Sequence, residues 1–498
     1  LLDQTNNTSA VLKTLISKGL LEEQFLREDR LLYDFKKQKK RSVLSDGQNK
    51  SLNEINNAFK DKAVVLFQGV TGSGKTEVYI ELISQAVGIG KQVLYLLPEI
   101  SLTPQIVKRL QMFFGNEVTV YHSKFSVNER TEIWNNVIEK SPKAKIIIGT
   151  RSALFLPFQN LGLLIVDEEH ELSYKQFDPS PRYHARDSAV ILARIHKAKV
   201  LLGSATPSLE SSFNQRSGKY GWVQLQERYG NVELPEIITI DLKLAHKKKQ
   251  MRGGFSKIMI EEMGQTLSMD KQIILFQNQR GYSPIIECLD CGHMPQCHQC
   301  DVTLTYHQYS DQLKCHYCGY HISVPQKCHA CGMTNLSSKG IGTQQIQEQV
   351  TTLFPEVKVA RMDWDTTRGK WAFDKLINSF AKQEVKILVG TQMIIKGLDF
   401  QNVHLVGVLN ADHLMNFPDF RAHERTFQML SQVAGRAGRK ELRGKVLIQT
   451  YQPHHPIIQH VINGNYDQML NQELKDRKQY YYPPYNRLIR IVVNHSDM

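Results

Sequence analysis

Residues 62 to 80 constrain this chain more than any other stretch. Val64 to Phe67 is a short apolar run rich in β-branched residues and predicts a buried strand. Gly69 to Thr76 then fits G-x-x-x-x-G-K-T, and Glu77 to Ile83 resumes with helical spacing. Strand, glycine loop and helix in that order make a phosphate cradle. Gly69, Gly72 and Gly74 let backbone N–H groups turn inward on a polyphosphate in front of a helix N-terminus. In such a loop Lys75 reaches the β- and γ-phosphates, and the Thr76 hydroxyl holds Mg²⁺. Gln48, upstream in Leu44-Ser45-Asp46-Gly47-Gln48, is placed to meet an adenine edge, although a lone glutamine is otherwise unremarkable.

From 90 to 206 strand-like and helix-like runs alternate. Gln92 to Leu97, Lys145 to Ile148, Leu163 to Val166 and Lys199 to Leu202 each run straight into a polar turn. That is the pattern of a parallel sheet with helices on both faces, whose carboxyl edge takes ligands. The run Leu163 to Val166 ends in Asp167-Glu168-Glu169-His170. Asp167 suits Mg²⁺ binding through the ion's water shell, and Glu168 is placed to orient or deprotonate an attacking water. Three further turns resemble phosphate grips: Ser101 to Gln105 with Thr103 as N-cap before Pro104, Gly149-Thr150-Arg151-Ser152, and Ser204-Ala205-Thr206-Pro207. Capping alone explains any one of them. Together on one sheet edge they predict a nucleic-acid track through Thr103 and Arg151. Residues 171 to 187 interleave Tyr174, Phe177 and Tyr183 with Lys175, Arg182 and Arg186. Such a loop stacks on unpaired bases, or its aromatics anchor it to the core.

A second αβ run begins near residue 237. Gln272 to Phe276 and Lys386 to Val389 read as strands, the latter entering Gly390-Thr391-Gln392-Met393. Arg436 and Arg439, in Gln432-Val433-Ala434-Gly435-Arg436-Ala437-Gly438-Arg439, suit stabilisation of charge on a transferred phosphoryl group across a cleft. A charge of 62 − 49 = +13 is compatible with a polyanionic partner. No apolar run approaches the length of a membrane span.

All eight cysteines fall between 288 and 331, as four Cys-x-x-Cys pairs. Beside a nucleotide loop, that clustering predicts metal thiolates rather than disulfides. Cys288, Cys291, Cys297, Cys300, Cys315, Cys318, Cys328 and Cys331 supply ligands for two Cys₄ zinc sites. The two middle pairs are separated by fourteen residues in which Val302, Leu304 and Tyr306 alternate and Ser310-Asp311 can turn. This predicts a β-hairpin with a knuckle at each base, and leaves the outer two pairs to close the second site.

The matching stretches are Gly69–Glu77, Leu97–Gln105, Gly149–Ala153, Asp167–His170, Gly203–Ser208, Asn278–Tyr282, Gly390–Val403 and Gln432–Arg439, with Pro418 to Gln428 and the cysteine insert especially distinctive. In this order they resemble superfamily 2 helicases, and specifically the bacterial replication-restart primosomal helicase (primosomal protein N′, PriA) family. Leu398 stands where the family often has His, and Gln344 where it usually has Glu. The resemblance implies an α/β fold of two RecA-like parallel-sheet lobes with a two-zinc Cys-rich insertion in the second. Its divisions would be 1–34, a winged-helix remnant; 35–46, a basic linker; 47–230, the ATP-binding lobe; 231–286 and 334–475, the second lobe around the insertion 287–333; and 476–498, the start of a C-terminal domain. The family's N-terminal DNA-binding domain would precede Leu1. The implied activity is a 3′→5′ ATP-dependent DNA helicase acting at stalled or collapsed forks, using ATP and Mg²⁺, and starting primosome assembly in a bacterial cytoplasm at the nucleoid. Implied partners are single-stranded and forked DNA, single-strand binding protein and other primosome proteins. It also implies Asp399 on the nucleotide side and Thr391 on the DNA side. A duplex translocase and a zinc-module scaffold are the rival readings.

Overall fold

The apolar runs assemble into two parallel sheets, seen in a computed structural model that describes residues 9–22, 43–98, 104–123, 125–228, 234–277, 285–307, 310–337, 342–363, 366–367, 372–394, 400, 402–438 and 443–489. The first sheet contains β1 (Val64–Gly69), β2 (Gln92–Leu96), β3 (Val118–Tyr121), β4 (Ile146–Gly149), β5 (Leu161–Asp167), β6 (Lys199–Ser204) and β7 (Gly221–Leu225). Its order is β3-β4-β2-β5-β6-β1-β7, with every pairing parallel. The central strands are apolar on both faces because helices cover both. In β1, Val65 and Phe67 enter one core while Val64 and Leu66 enter the other. Edge strands β3 and β7 carry weaker apolar signals and are absent from the sequence expectations above.

The second sheet contains β8 (Glu236–Asp241), β9 (Gln272–Phe276), β10 (Val359–Met362), β11 (Ile387–Gly390), β12 (Val403–Val408) and β13 (Lys445–Thr450). It is also wholly parallel, in the order β10-β11-β9-β12-β13-β8. Two cores flank it as in the first sheet.

Between β9 and β10 lies the cysteine-rich insertion. Glu287–Cys288 pairs antiparallel with Leu336–Ser337, so the insertion leaves and returns through one closed neck. Inside it, Thr305–His307 and Gln312–Lys314 form the expected hairpin, and His321–Ser323 adds a third strand. The insertion is fastened to the second lobe. His413 Nε2 bonds Glu287 Oε2 at 2.5 Å, and Tyr482 donates to the Cys300 carbonyl at 2.9 Å. Phe420 and Tyr482 stack 4.5 Å apart beside Tyr317.

The lobes meet along a polar seam. The helix Leu209–Arg216 follows β6 of the first sheet, yet Leu209 is buried in a core of the second lobe. Its N–H donates to Glu424 at 2.9 Å. Arg421 and Arg477 both reach Glu210, and Arg477 also pairs with Glu424. Near the start of the chain, the helix Ser9–Ser17 is followed by Gly19 with φ +67, a glycine stop just past the helix end.

Candidate nucleotide cleft and cysteine-rich sites

The phosphate loop links β1 to the helix Lys75–Gly88. Gly69 closes the strand, and Gly72 and Gly74 hold φ of +83 and +79, a region open to glycine. A Cβ at Gly74 would lie 2.4 Å from the Gln48 amide, so no side chain fits there. Lys75 Nζ donates to the Gly69 carbonyl at 2.8 Å, folding the lysine across the loop, and Thr76 follows it in the first helical turn. Gln48 is placed differently from a base-reading side chain. It is buried, its Oε1 accepts from Ser45 N at 3.0 Å, and its Nε2 donates to Ser73 O at 3.1 Å. With both ends of the amide engaged, it caps its own helix and braces the loop.

β5 delivers the acidic quartet to the same edge, and each acid has its own environment. Asp167 Oδ1 accepts from Tyr79 at 3.0 Å and from Glu168 N at 3.1 Å, and Oδ2 accepts from Tyr95 at 3.2 Å. Burial pushes the Asp167 carboxyl up to about 6 and Glu168 adds to the rise; Lys75 and the two tyrosine bonds oppose it. Glu168 has φ 48 and is partly open to the cleft. Glu169 is fully buried and accepts from Ser208 N at 2.7 Å, Ser211 Oγ at 2.8 Å and Arg186 Nη1 at 3.1 Å, so it is a structural anchor. His170 Nδ1 lies 2.7 Å from Ser204 Oγ, and its Nε2 lies 2.8 Å from Gln432 Nε2. A tautomer protonated on Nδ1 satisfies both contacts.

The second lobe closes on this edge. A Cβ at Gly435 would lie 2.8 Å from the Thr71 side chain, so the backbone beside Arg436 rests on the phosphate loop. Gln432 Nε2 approaches Glu168 Oε2 at 3.5 Å as well as His170. Arg436 is half-buried at that contact. Arg439, Asp399 and Thr103 lie outside the described residues.

The expected DNA-facing residues divide. Arg151 begins the turn after β4 and its Nη1 donates to Lys175 O at 3.0 Å, tying that turn to the loop 171–187. Phe177 is 65% exposed. Thr391 follows β11 at the corresponding edge of the second sheet, with a buried side chain. Tyr174 departs from the stacking role expected of it. Its ring is fully buried and its hydroxyl donates to Asp167 O at 2.6 Å, so no face is free for a base.

The cysteines gather as two tetrads. Cys297, Cys300, Cys315 and Cys318 form the inner one, and Cys288, Cys291, Cys328 and Cys331 the outer, each with its Sγ atoms within 4.8 Å of one another. Sulfur pairs 288/331, 291/328 and 297/318 stand 3.6, 3.6 and 3.5 Å apart. Four thiolates at these separations fit a tetrahedral zinc ion, with bonds of about 2.3 Å, and leave no ligand position over. The nested pairing matches the expectation from loop lengths.

Residues 45–213 match the DEAD/DEAH box helicase family model, and residues 334–441 match the helicase conserved C-terminal domain. RecG bound to a three-way DNA junction covers 87% of this chain and 47% of its own at 16% identity, TM-score 0.51. The DUF1998 helicase MrfA bound to DNA covers 86% and 48% at 15% identity, TM-score 0.52. Fold and cleft thus define a superfamily 2 helicase core of two RecA-like lobes. Residues 297–322 match the PriA DNA helicase Cys-rich region domain. Replication restart protein PriA of Bacillus subtilis (strain 168) is 43% identical over 99% of this chain and 62% of its own length, and that of Haemophilus influenzae is 40% identical over 100% and 68%. The chain belongs to the replication restart PriA family. It spans about three-fifths of the Bacillus relative's length.

Tyr79, Tyr95, Gln432 and the Glu169–Arg186 pair were not singled out from sequence. Tyr79 lies four residues beyond Lys75 on one helix face, the only sequence signal that links it to the loop.

Proposed function

We propose that this chain is the motor portion of a 3′→5′ ATP-dependent DNA helicase that acts at stalled or collapsed forks and starts primosome assembly. The observation that carries the reading is the cross-lobe cleft, in which Gly435 rests on Thr71 and Gln432 reaches His170 and Glu168. ATP would bind on the Gly69–Thr76 loop, with Lys75 moving from the Gly69 carbonyl to the phosphates. Mg²⁺, held by Thr76 and by Asp167 through water, would neutralise charge on the β- and γ-phosphates. Glu168 would take the proton of the attacking water, and Arg436 and Arg439 would meet the charge that develops on the transferred group. His170 would pass the state of the cleft to the Ser204–Thr206 turn.

Single-stranded DNA would cross the carboxyl edges of both sheets, over Thr103, Arg151, Thr391 and the exposed Phe177. Changes in the Gln432–His170 contact during turnover would move the lobes along the strand. Two zinc ions would fix the insertion as a rigid docking module, a structural role that suits closed Cys₄ sites. Expected partners are forked DNA, single-strand binding protein and primosome proteins, in the bacterial cytoplasm at the nucleoid. Strand displacement on forks tailed at either the 3′ or the 5′ end, beside triplex displacement on unbroken duplex, tests this reading. Unwinding dependent on a 3′-tailed loading strand supports it, whereas triplex displacement without strand separation assigns a duplex translocase.

A further inference from the structure

Three buried tyrosine hydroxyls converge on one acidic residue. Tyr79 comes from the helix that follows the phosphate loop, Tyr95 from β2, and Tyr174 from the turn after the acidic quartet. Tyr79 and Tyr95 donate to different oxygens of the Asp167 carboxylate, at 3.0 and 3.2 Å. Tyr174 holds the main chain, donating to Asp167 O at 2.6 Å with Leu96 O 3.0 Å away. All three rings are fully buried, and Tyr79 packs edge-on against Tyr95 with centroids 5.8 Å apart.

A buried tyrosine needs only some acceptor for its proton, and a backbone carbonyl is enough. Two of these instead take opposite oxygens of a single carboxylate, which stops it turning about its last bond. The neighbouring strand makes room for this, because a Cβ at Gly203 would lie 1.9 Å from the Tyr79 hydroxyl. The remaining lone pairs are also sorted. Oδ1 accepts from both Tyr79 and Glu168 N, whereas Oδ2 accepts from Tyr95 alone among the described residues. A carboxylate oxygen takes about two hydrogen bonds, so Oδ2 retains the free one.

We propose that Tyr79 and Tyr95 are positioning residues for ATP turnover, which fix the Asp167 carboxylate so that Oδ2 faces the magnesium water shell. This rests on reading the cleft as an ATP site. Hydroxyl groups behind a metal-binding carboxylate act on ion affinity and rate, and their loss costs about 10- to 100-fold.

Tyr79→Phe, Tyr95→Phe and the double variant keep the rings and remove only the hydroxyls. Two readouts separate positioning from packing: the MgCl₂ midpoint for binding a fluorescent ATP analogue, and the split between kcat and KM for DNA-stimulated hydrolysis. The double variant should need about tenfold more MgCl₂ and lose about tenfold or more in kcat, with KM for saturating Mg-ATP within about threefold. Tyr95→Phe should move the MgCl₂ midpoint by itself. A MgCl₂ midpoint and kcat within about twofold of wild type, even with a lowered Tm, would overturn the proposal and leave the hydroxyls a purely structural role. Lys75→Ala run alongside distinguishes the failures. Retained turnover in Lys75→Ala removes the cleft assignment, and with it this proposal. Loss in Lys75→Ala with unaffected tyrosine variants removes the proposal alone.

Discussion

Glu168 occupies left-handed backbone, φ 48, at a non-glycine position in the candidate cleft. That conformation costs about 1–2 kcal/mol, and its neighbours hold it there. Its N–H donates to Asp167 Oδ1, its carbonyl accepts from Glu171 N at 2.9 Å, and the buried Glu169 is fixed by serines and an arginine. The turn separates three consecutive carboxylates: one held by tyrosines, one facing the cleft, one sealed in the core. Glu168→Gln should therefore still bind ATP while turnover falls about 100-fold or more. Nucleotide titration with single-turnover hydrolysis checks this, and loss of ATP binding in the variant would count against a role on water. An apolar strand entering acids was legible in the sequence. Separate parts for Asp167 and Glu168 were legible too, but the sealing of Glu169 in the core was not, because the strand pattern ends where φ changes sign. Tyr174 and Phe177 teach the same point. Both lie among cations in one loop, and only the fold reveals that one hydroxyl is buried under Asp167 while the other ring is exposed.

At the scale of elements, the cysteine insertion was the most legible part of the chain. Cys-x-x-Cys spacing fixes four knuckles, and the fourteen-residue interval leaves room for a hairpin between the inner two. The third strand, His321–Ser323, escaped notice because three residues carry too little alternation to register. Cys297→Ser should lower bound zinc from two ions to one per chain, measured by metal analysis. It should impair strand separation more than basal ATP hydrolysis, since a closed Cys₄ site has no open position for a substrate and acts structurally. An equal loss in both would contradict a structural and docking role. The seam helix Leu209–Arg216 was illegible. Its partners, Arg421, Glu424 and Arg477, stand more than 200 residues away in sequence, and local patterning carries nothing of such pairings. Burial would push the Glu210 carboxyl up, but Arg421, Arg477 and Arg186 outweigh it and hold it at about 2, below its ordinary 4.5. A depressed carboxylate stabilises the fold above pH 4.5 and loses that contribution as pH falls toward 2. Arg477→Leu removes one of the cations that hold Glu210 down, along with the ion-pair partner of buried Glu424, and should cost about 3–5 kcal/mol near neutrality, the part carried by Glu210 depending on pH. Denaturant unfolding should show that difference shrinking on acidification, and a constant gap from pH 7 to pH 3 would point to lost packing on Phe420 instead.

For the whole molecule, the carboxyl edge of the first sheet meets the C-terminal end of the second lobe's helix Ala422–Ala434 in a shared cleft, and the candidate nucleotide elements come from both lobes. Strand–loop–helix order made the two-lobe architecture readable, because each buried parallel strand is a compact apolar run that ends in a polar turn. Their contact was not readable. Gly435 against Thr71 and Gln432 against His170 join residues about 360 and 260 positions apart, and only the assembled lobes bring them together. The central claim is that this cleft hydrolyses ATP in response to a strand lying across both lobes. Steady-state ATP hydrolysis by this chain, with and without single-stranded DNA and beside Lys75→Ala, tests it most directly. The account predicts a low basal rate, stimulation of tenfold or more that is indifferent to scrambling the oligonucleotide, and no turnover in Lys75→Ala at any DNA concentration, on the order expected for removal of a phosphate-binding charge. Equal rates with and without DNA, or near-normal turnover in Lys75→Ala, would contradict it.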